Sequence, residues 1–449
     1  MKFLGFVLLE LVLLVIAVNG GDLVTRLPGY NGDVPFTLET GYVGVGEREE
    51  VQLFYYFVES QKDPLQDPLV LWIPGGPACT ALGSLFFASG PLAFDIREYD
   101  GGLPSLVLNP FAWTQGMNII YLDAPVGTGF SYSKTNQGYD IGDYKFSTHT
   151  YQFLVEWYME HSKFLGNQFY IAGEGYSGTI IPMLAQKIIK GNQVKDMSVL
   201  NLKGYMIGNP GTDNQIDFNS RVPLLHRLSF IPDKLFESAK TNCNGDFSTS
   251  NPSKKCDSDM ESINKLISKI NQVQVFEPSC TLPNLTDENM AQEFLIDKYR
   301  SGFYGSQPSS KPNSTQLWCR EYNQVFSYIW ANDNAVQEAL HVHKGSKSSW
   351  QYCNDTLGSN YDPKGTSVVE YHRNLTNQNL QVLLYSGDVD TGVPYIGTLQ
   401  WIMSLNLTLN ESWRVWSVDE DQGAGHNAAE YRIKECSAMI HRWISSYPL

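Results

Sequence analysis

Four short apolar runs punctuate the first half of the chain: Pro68-Leu-Val-Leu-Trp-Ile73, Asn118-Ile-Ile-Tyr-Leu122, Phe169-Tyr-Ile-Ala172 and Leu202-Lys-Gly-Tyr-Met-Ile-Gly208. Runs this short, with little polar alternation, read as strands buried on both faces. Helical patterns lie between them, with apolar positions near Phe153, Val155 and Trp157 and again from Thr179 to Lys190. Ahead of them, Thr40-Gly-Tyr-Val-Gly-Val-Gly46 and Val51-Gln-Leu-Phe-Tyr-Tyr-Phe-Val58 read as a hairpin joined by the charged turn Glu47-Arg-Glu-Glu50. Strands alternating with helices predict an α/β fold, a mostly parallel sheet covered on both faces. Sites in such sheets form at the carboxyl ends of the strands. Gly75-Gly76, Asp123, Gly175, Asn209 and Asp390 all follow strand candidates and are expected to share one rim.

From about Asp213 to Gln316 the parallel-strand runs vanish. Helical stripes replace them, such as Ile263, Leu266, Ile267 and Ile270. Strand patterns resume at Leu380-Gln-Val-Leu-Leu-Tyr385. We therefore read 213–316 as a helical cap inserted into a core formed by 21–212 and 317–449. Ser306 to Thr315, polar and rich in Pro and Ser, reads as an exposed loop open to proteolysis.

The first twenty residues have a basic start at Lys2, an apolar run from Phe3 to Val18 and small residues at Gly20-Gly21. That is the pattern of a secretory signal peptide spanning 1–20. No later run is long and apolar enough to cross a bilayer. Six sequons, at Asn284, Asn313, Asn354, Asn374, Asn406 and Asn410, suggest a glycoprotein. Seven cysteines in an oxidising compartment predict three disulfides and one free thiol. None of the cysteines or histidines has metal-ligand spacing, so neither a metal nor another cofactor is expected. The net charge of −15 argues against nucleic acid and anionic membrane surfaces as partners. The expected location is extracellular or vacuolar.

The stretch Phe169-Tyr-Ile-Ala-Gly-Glu-Gly-Tyr-Ser-Gly178 passes from strand through a sharp turn into a helix. That is the setting of a nucleophile elbow, where a serine normally occupies the tip. Here the tip is Gly175. Acyl transfer also needs a base, an acid to orient it and donors for an oxyanion. His426, in Gly423-Ala-Gly-His-Asn427, is the base candidate. Asp390, in Tyr385-Ser-Gly-Asp-Val-Asp390, is the acid candidate, and Asp388 is its rival, expected to be structural. The expected oxyanion donors are the backbone N–H groups of Gly76 and Tyr176.

These residues sit in longer motifs: Leu71-Trp-Ile-Pro-Gly-Gly-Pro77, Asp123-Ala-Pro-Val-Gly-Thr-Gly-Phe-Ser-Tyr-Ser133, Gly173-Glu-Gly-Tyr-Ser-Gly178, Trp330-Ala-Asn-Asp333 and Glu430-Tyr431 after His426. With them the chain resembles plant serine carboxypeptidase-like proteins along nearly all of its mature length. The stretch Leu27 to Tyr42 resembles most the branch that transfers acyl groups from glucose esters, whereas Glu174 is more similar to the peptide-cleaving members. The resemblance implies an α/β-hydrolase fold and disulfides Cys79–Cys353, Cys243–Cys256 and Cys280–Cys319, leaving Cys436 unpaired. It also implies a substrate-binding role for Gly75 and Glu174. The ligand it implies is a small ester or glucoside, or a peptide C-terminus. Some relatives are cut within the cap.

The departures from that pattern bear on function. Gly175 replaces the nucleophile, and Ser177, two residues on, is poorly placed to substitute. Pro74 stands where carboxypeptidases use an asparagine to hold the substrate carboxylate. Ala78 and Thr80 add bulk beside the oxyanion loop. After Trp413-Arg-Val-Trp416 the family usually runs through two further strands, whereas Ser417-Val-Asp-Glu-Asp-Gln422 leads straight into Gly423. Either Trp413 to Val418 serves as the last strand, or His426 is not delivered to the rim. The expected function is that of a catalytically impaired protein that binds a ligand or accompanies an active paralogue; an active carboxypeptidase or acyltransferase is the alternative.

Overall fold

The structure, a computed structural model, describes residues 21–97, 99–194, 199–283, 285, 287–300, 319–363, 365, 367–416 and 425–445. The expected signal peptide, the sequons at Asn284 and Asn313, the loop from Ser306 to Thr315 and the stretch from Ser417 to Ala424 lie outside these residues.

The strands are, in chain order, β1 (Asp22–Leu23), β2 (Leu38–Val45), β3 (Val51–Val58), β4 (Leu69–Ile73), β5 (Leu92–Phe94), β6 (Leu106–Leu108), β7 (Asn118–Leu122), β8 (Tyr132–Ser133), β9 (Phe169–Glu174), β10 (Leu202–Gly208) and β11 (Gln381–Tyr385). Nine of them form one sheet in the order β1-β2-β3-β7-β4-β9-β10-β11, with β8 also on β3; β5 and β6 form a separate pair. The expected hairpin is β2–β3, paired from Leu38 opposite Val58 to Val45 opposite Val51. From β7 to β11 neighbouring strands run parallel.

Period-two alternation explains why the central runs carry apolar side chains at successive positions. On β4, Val70 and Trp72 enter one core with Tyr121, Tyr170 and Met206. Leu69, Leu71 and Ile73 point the other way, joining Ile120, Ile171 and Ile207. Helix Asp143–Glu160 covers the second face with Phe153, Leu154 and Trp157, and helix Ser177–Gly191 with Ile180, Ile181, Leu184 and Ile188. Helices Leu82–Phe87, Asn323–Asn332 and Ile433–Ile444 cover the first. The fold is an α/β-hydrolase fold.

Helices Asn214–Arg227, Asp233–Asn242 and Lys254–Ile267 enclose a satellite core of Val222, Leu225, Ile231, Ala239 and Ile263, tied by Cys243–Cys256. Helix Glu288–Arg300 instead sends Ala291 and Leu295 into the main core. The stripe read from the sequence is only partly realised. Ile263 is buried, Leu266 is 51% exposed, and the helix ends at Ile267, before Ile270. The buried face runs through Cys256, Met260, Ile263 and Ile267. Leu266 lies about 90° from its centre at 100° per residue.

The possible last strand from Trp413 is not there in the described residues. Residues 413–416 are irregular, and Trp413 is 86% exposed. Alternating apolar positions mark a segment that can pair, but pairing needs a neighbour, and none meets it.

Candidate active site

β9 runs straight into the turn. Gly175 has φ +60°, and helix Ser177–Gly191 follows at once. Its N–H donates to Gly208 O (2.9 Å), and its carbonyl accepts from Gly211 N (2.9 Å) and Gly178 N (3.0 Å). The turn is thus held from both sides. A Cβ placed on Gly175 would lie 2.8 Å from His426 Nε2. The tip still aims at the imidazole and carries nothing to present. Ser177 does not replace it: the residue is fully buried, and its hydroxyl donates to Glu174 O (2.7 Å).

The acid–base side is complete. Asp390 is fully buried, and its Oδ2 lies 2.7 Å from His426 Nδ1. The same carboxylate accepts from Asn209 Nδ2 (2.9 Å), Gly392 N (2.7 Å) and Val393 N (3.1 Å). Asp388, the rival acid, is exposed rather than part of this frame. With the carboxylate at Nδ1, the neutral ring carries its proton there and turns a lone pair at Nε2 toward Gly175. Burial opposes a charged imidazole, but Asp390 and Glu174 outweigh it and hold His426 above its ordinary value. Asn209 has a part that sequence reading missed. It sits at φ +41° just past β10, accepts from Gly387 N (3.1 Å) through its side chain and so fixes the acid loop. A polar amide closing a strand next to the acid-bearing strand was the available signal.

His426 reaches this position by a route neither sequence alternative foresaw. Its N–H donates to Val273 O (2.8 Å), in the cap segment. Thr391 donates to the adjacent Gln272 O through both N–H (2.8 Å) and Oγ1 (2.8 Å). Backbone carbonyls of residues 272 and 273, in the segment after helix Lys254–Ile267, therefore hold both the acid loop and the histidine turn. Gly425 permits the approach, since a Cβ there would lie 2.5 Å from Val273 O.

The loop Pro74-Gly75-Gly76 leaves β4 and lies against the elbow. A Cβ on Gly75 would sit 2.8 Å from Glu174 O, and Gly76 has φ +119°, so both positions need glycine. Gly76 and Tyr176 line the cavity, and among the described residues neither N–H has a protein acceptor. Asp123, expected on the same rim, is instead a fully buried knot. It accepts from Thr80 Oγ1 (2.6 Å), Ala81 N (2.8 Å) and Phe130 N (3.0 Å), pinning the loop from below. Thr80 lines the cavity as expected from its bulk; Ala78 turns into the core and does not.

The cavity measures about 680 Å³ and is lined on the substrate side by Pro74, Glu174, Arg320, Tyr352, Glu430 and Tyr431. Glu174 Oε2 is buried without a partner. Burial pushes its carboxyl up to about 8, against the pull of His426. Burial likewise pushes Glu430 up to about 7, against Arg320. Arg320 pairs with Glu277 (2.8 Å) and stacks over the Tyr431 ring. Glu430 lies in the short helix Ala428–Tyr431 that follows the histidine; the sequence placed it in a motif but gave it no role.

The disulfides are Cys79–Cys353, Cys243–Cys256 and Cys280–Cys319, with Cys436 free and buried. One trio of potential metal ligands occurs among the described residues, Cys280, Cys319 and Glu321, and its two sulfurs are bonded to each other. The sequon residues Asn374, Asn406 and Asn410 are exposed. Asn354 is not: its Oδ1 accepts from Leu357 N (3.0 Å), and its Nδ2 donates to Gly127 O (3.0 Å).

Comparison with known proteins places these features in context. Residues 28–446 match the serine carboxypeptidase family. The chain is 39% identical to serine carboxypeptidase-like 7 of Arabidopsis thaliana, covering 100% of this chain and 99% of that one. It is 39% identical to serine carboxypeptidase-like 10 of the same plant, covering 99% of each. Among solved structures it resembles a prohormone-processing carboxypeptidase of Saccharomyces cerevisiae, with a TM-score of 0.62 at 17% identity over 82% of this chain and 77% of that one.

Proposed function

The chain belongs to the serine carboxypeptidase family, and from that premise we propose that it is a ligand-binding member that has lost acyl-enzyme chemistry. One observation carries the reading. The backbone at Gly175 aims its missing side chain at His426 Nε2, so the machinery for activating a nucleophile surrounds a position that holds none. Loss of the serine costs on the order of 10⁶ in rate in subtilisin.

The ligand is a small ester or glucoside of the kind used by the acyltransferase-like branch, or a peptide C-terminus. A ligand carbonyl in the cavity would accept from Gly76 and Tyr176. Glu174 and Glu430, neutral in an acidic compartment, would donate to a carboxylate or carbonyl. Pro74 offers no donor, which weakens the case for a peptide carboxylate. Disulfides fit the secretory pathway, and no helix of the described residues is long and apolar enough to cross a membrane. An extracellular or vacuolar role, alone or beside a catalytic paralogue, is the finer form of the proposal.

The fully hydrogen-bonded Asp390–His426 pair favours a second reading, slow hydrolysis or transfer in which His426 activates water or an alcohol directly. A fluorophosphonate probe separates the two. The native protein is expected to resist labelling and Gly175→Ser to accept it. Stoichiometric labelling of the native protein would refute the loss of acyl-enzyme chemistry. Ester turnover by unlabelled native protein that disappears in His426→Ala would establish the second reading.

A further inference from the structure

At the sheet edge opposite β11, three donors converge on one oxygen. Glu39 Oε1, on β2, lies 2.6 Å from the Tyr55 hydroxyl, 2.8 Å from His161 Nε2 and 3.2 Å from Gly21 N. Gly21 N also lies 3.1 Å from the Tyr55 oxygen. His161 is stacked on Trp157, and its Nδ1 lies 2.8 Å from Trp157 O. The ring thus sits between a carbonyl at Nδ1 and a carboxylate at Nε2.

One feature of this socket suits a chain end better than an interior residue. Gly21 N shares one proton between two acceptors, one of them the Glu39 carboxylate. An α-ammonium would supply three protons and a positive charge beside that carboxylate. The socket also selects its occupant. A Cβ on residue 21 would lie 2.5 Å from Thr40 O and 2.5 Å from the Tyr55 oxygen. Only glycine seats there. In the sequence Gly21 directly follows Gly20, the small residue that closes the expected signal peptide.

We propose that maturation cuts the chain between Gly20 and Gly21, and that the α-ammonium of Gly21 docks in the Glu39–Tyr55–His161 socket as a structural part of the fold. The cut is a hydrolysis by a signal-cleaving protease. Water adds across the amide: its oxygen goes to the Gly20 carbonyl carbon, leaving a carboxylate, and both its protons go to the Gly21 nitrogen, leaving an ammonium. Docking then starts β1, whose Asp22 pairs with Thr40 of β2. The proposal rests on residues 1–20 being a removable signal and is independent of the chemistry at Gly175.

The test starts from the full chain secreted with its own leader. Mass spectrometry of the mature N-terminus is expected to find Gly21 first; any other first residue overturns the proposal. A chain whose mature N-terminus carries one extra residue, verified the same way, turns the ammonium back into an amide. Its apparent Tm is expected to fall by about 2 °C at fixed scan rate. In Glu39→Gln the two N-termini are expected to melt alike. Equal melting in the wild-type background, or an undiminished difference in Glu39→Gln, overturns the docking. Should Glu39→Gln not be secreted, Tyr55→Phe reads the same coupling, and a penalty that it fails to shrink counts equally against the socket.

Discussion

The two sides of the His426 ring have had opposite fates. At Nδ1 both oxygens of Asp390 are hydrogen-bonded, Oδ2 to Asn209, Val393 and the ring and Oδ1 to Gly392. At Nε2 there is only the bare turn of Gly175. The intact side is also a structural joint, since its residues tie β10, β11, the cap and the histidine turn together. The Nε2 side faces a turn that glycine fills with backbone alone. Glycine at φ +60° relieves a strain worth about 1–3 kcal/mol in other residues. A group that both reacts and holds the fold is harder to lose than one that only reacts.

That contrast breaks most sharply at the elbow. Gly175→Ser is expected to raise ester hydrolysis by on the order of 10³-fold or more, measured with a chromogenic ester. The imidazole must first withdraw by about half an ångström to make room for the Cβ. Adding Asp390→Asn to that variant should erase most or all of the gain, since the equivalent change costs about 10⁴ in a complete triad. A Gly175→Ser protein that folds and stays inert would mean that the Nδ1 side is less intact than its hydrogen bonds indicate. Next in size, removing the Cys79–Cys353 bond beside the oxyanion loop should cost about 2–5 kcal/mol in denaturant unfolding. The nucleophile side would then prove to be held from the loop, not from the elbow.

A pH series sharpens the comparison further. Glu174 (about 8), Glu430 (about 7) and His426 (raised) each keep a proton in the folded protein that the unfolded chain has released at the same pH. Stability should therefore fall as pH climbs from about 4.5 through 8. Glu39, lowered by His161 and Tyr55 against its burial, works the other way and loses its contribution below about 4.5. Thermal melts should place the optimum near pH 5, and Glu174→Gln should flatten the decline. The smallest effect is expected from Ser177→Ala: about 1 kcal/mol for the lost bond to Glu174 O, and no change in probe labelling.

Much of this was legible in the chain. The strands β7 and β10 have the ends read from their apolar runs, and the β2–β3 hairpin falls where its charged turn put it. Asp390, His426 and Gly175 converge because each closes a strand or follows a glycine turn, and those signals are local. What escaped was non-local. Asp123 follows a strand as Asp390 does, and only the donors brought to it by Thr80, Ala81 and Phe130 decide that it points into a knot. The joining of the histidine turn to Val273 links residues far apart in the sequence and is made by a carbonyl, which every residue possesses. Trp413 and Val415 alternate as strand residues should, but among the described residues no strand pairs with them.

The carbonyl of Val273 has a consequence for how such a chain can change over generations. A histidine aimed by the cap leaves the outer edge of the sheet free to be trimmed, since strands lost there take no aiming contact with them. The cap residues at 272 and 273 carry the opposite burden. Val273 also lines the cavity and its N–H donates to Asn271 Oδ1 (3.1 Å), but the contacts that aim the two loops use main-chain oxygens, and a single inserted or deleted residue would shift both loops at once. Lineages of this fold should therefore tolerate length variation beside β11 and resist it at the base of the cap.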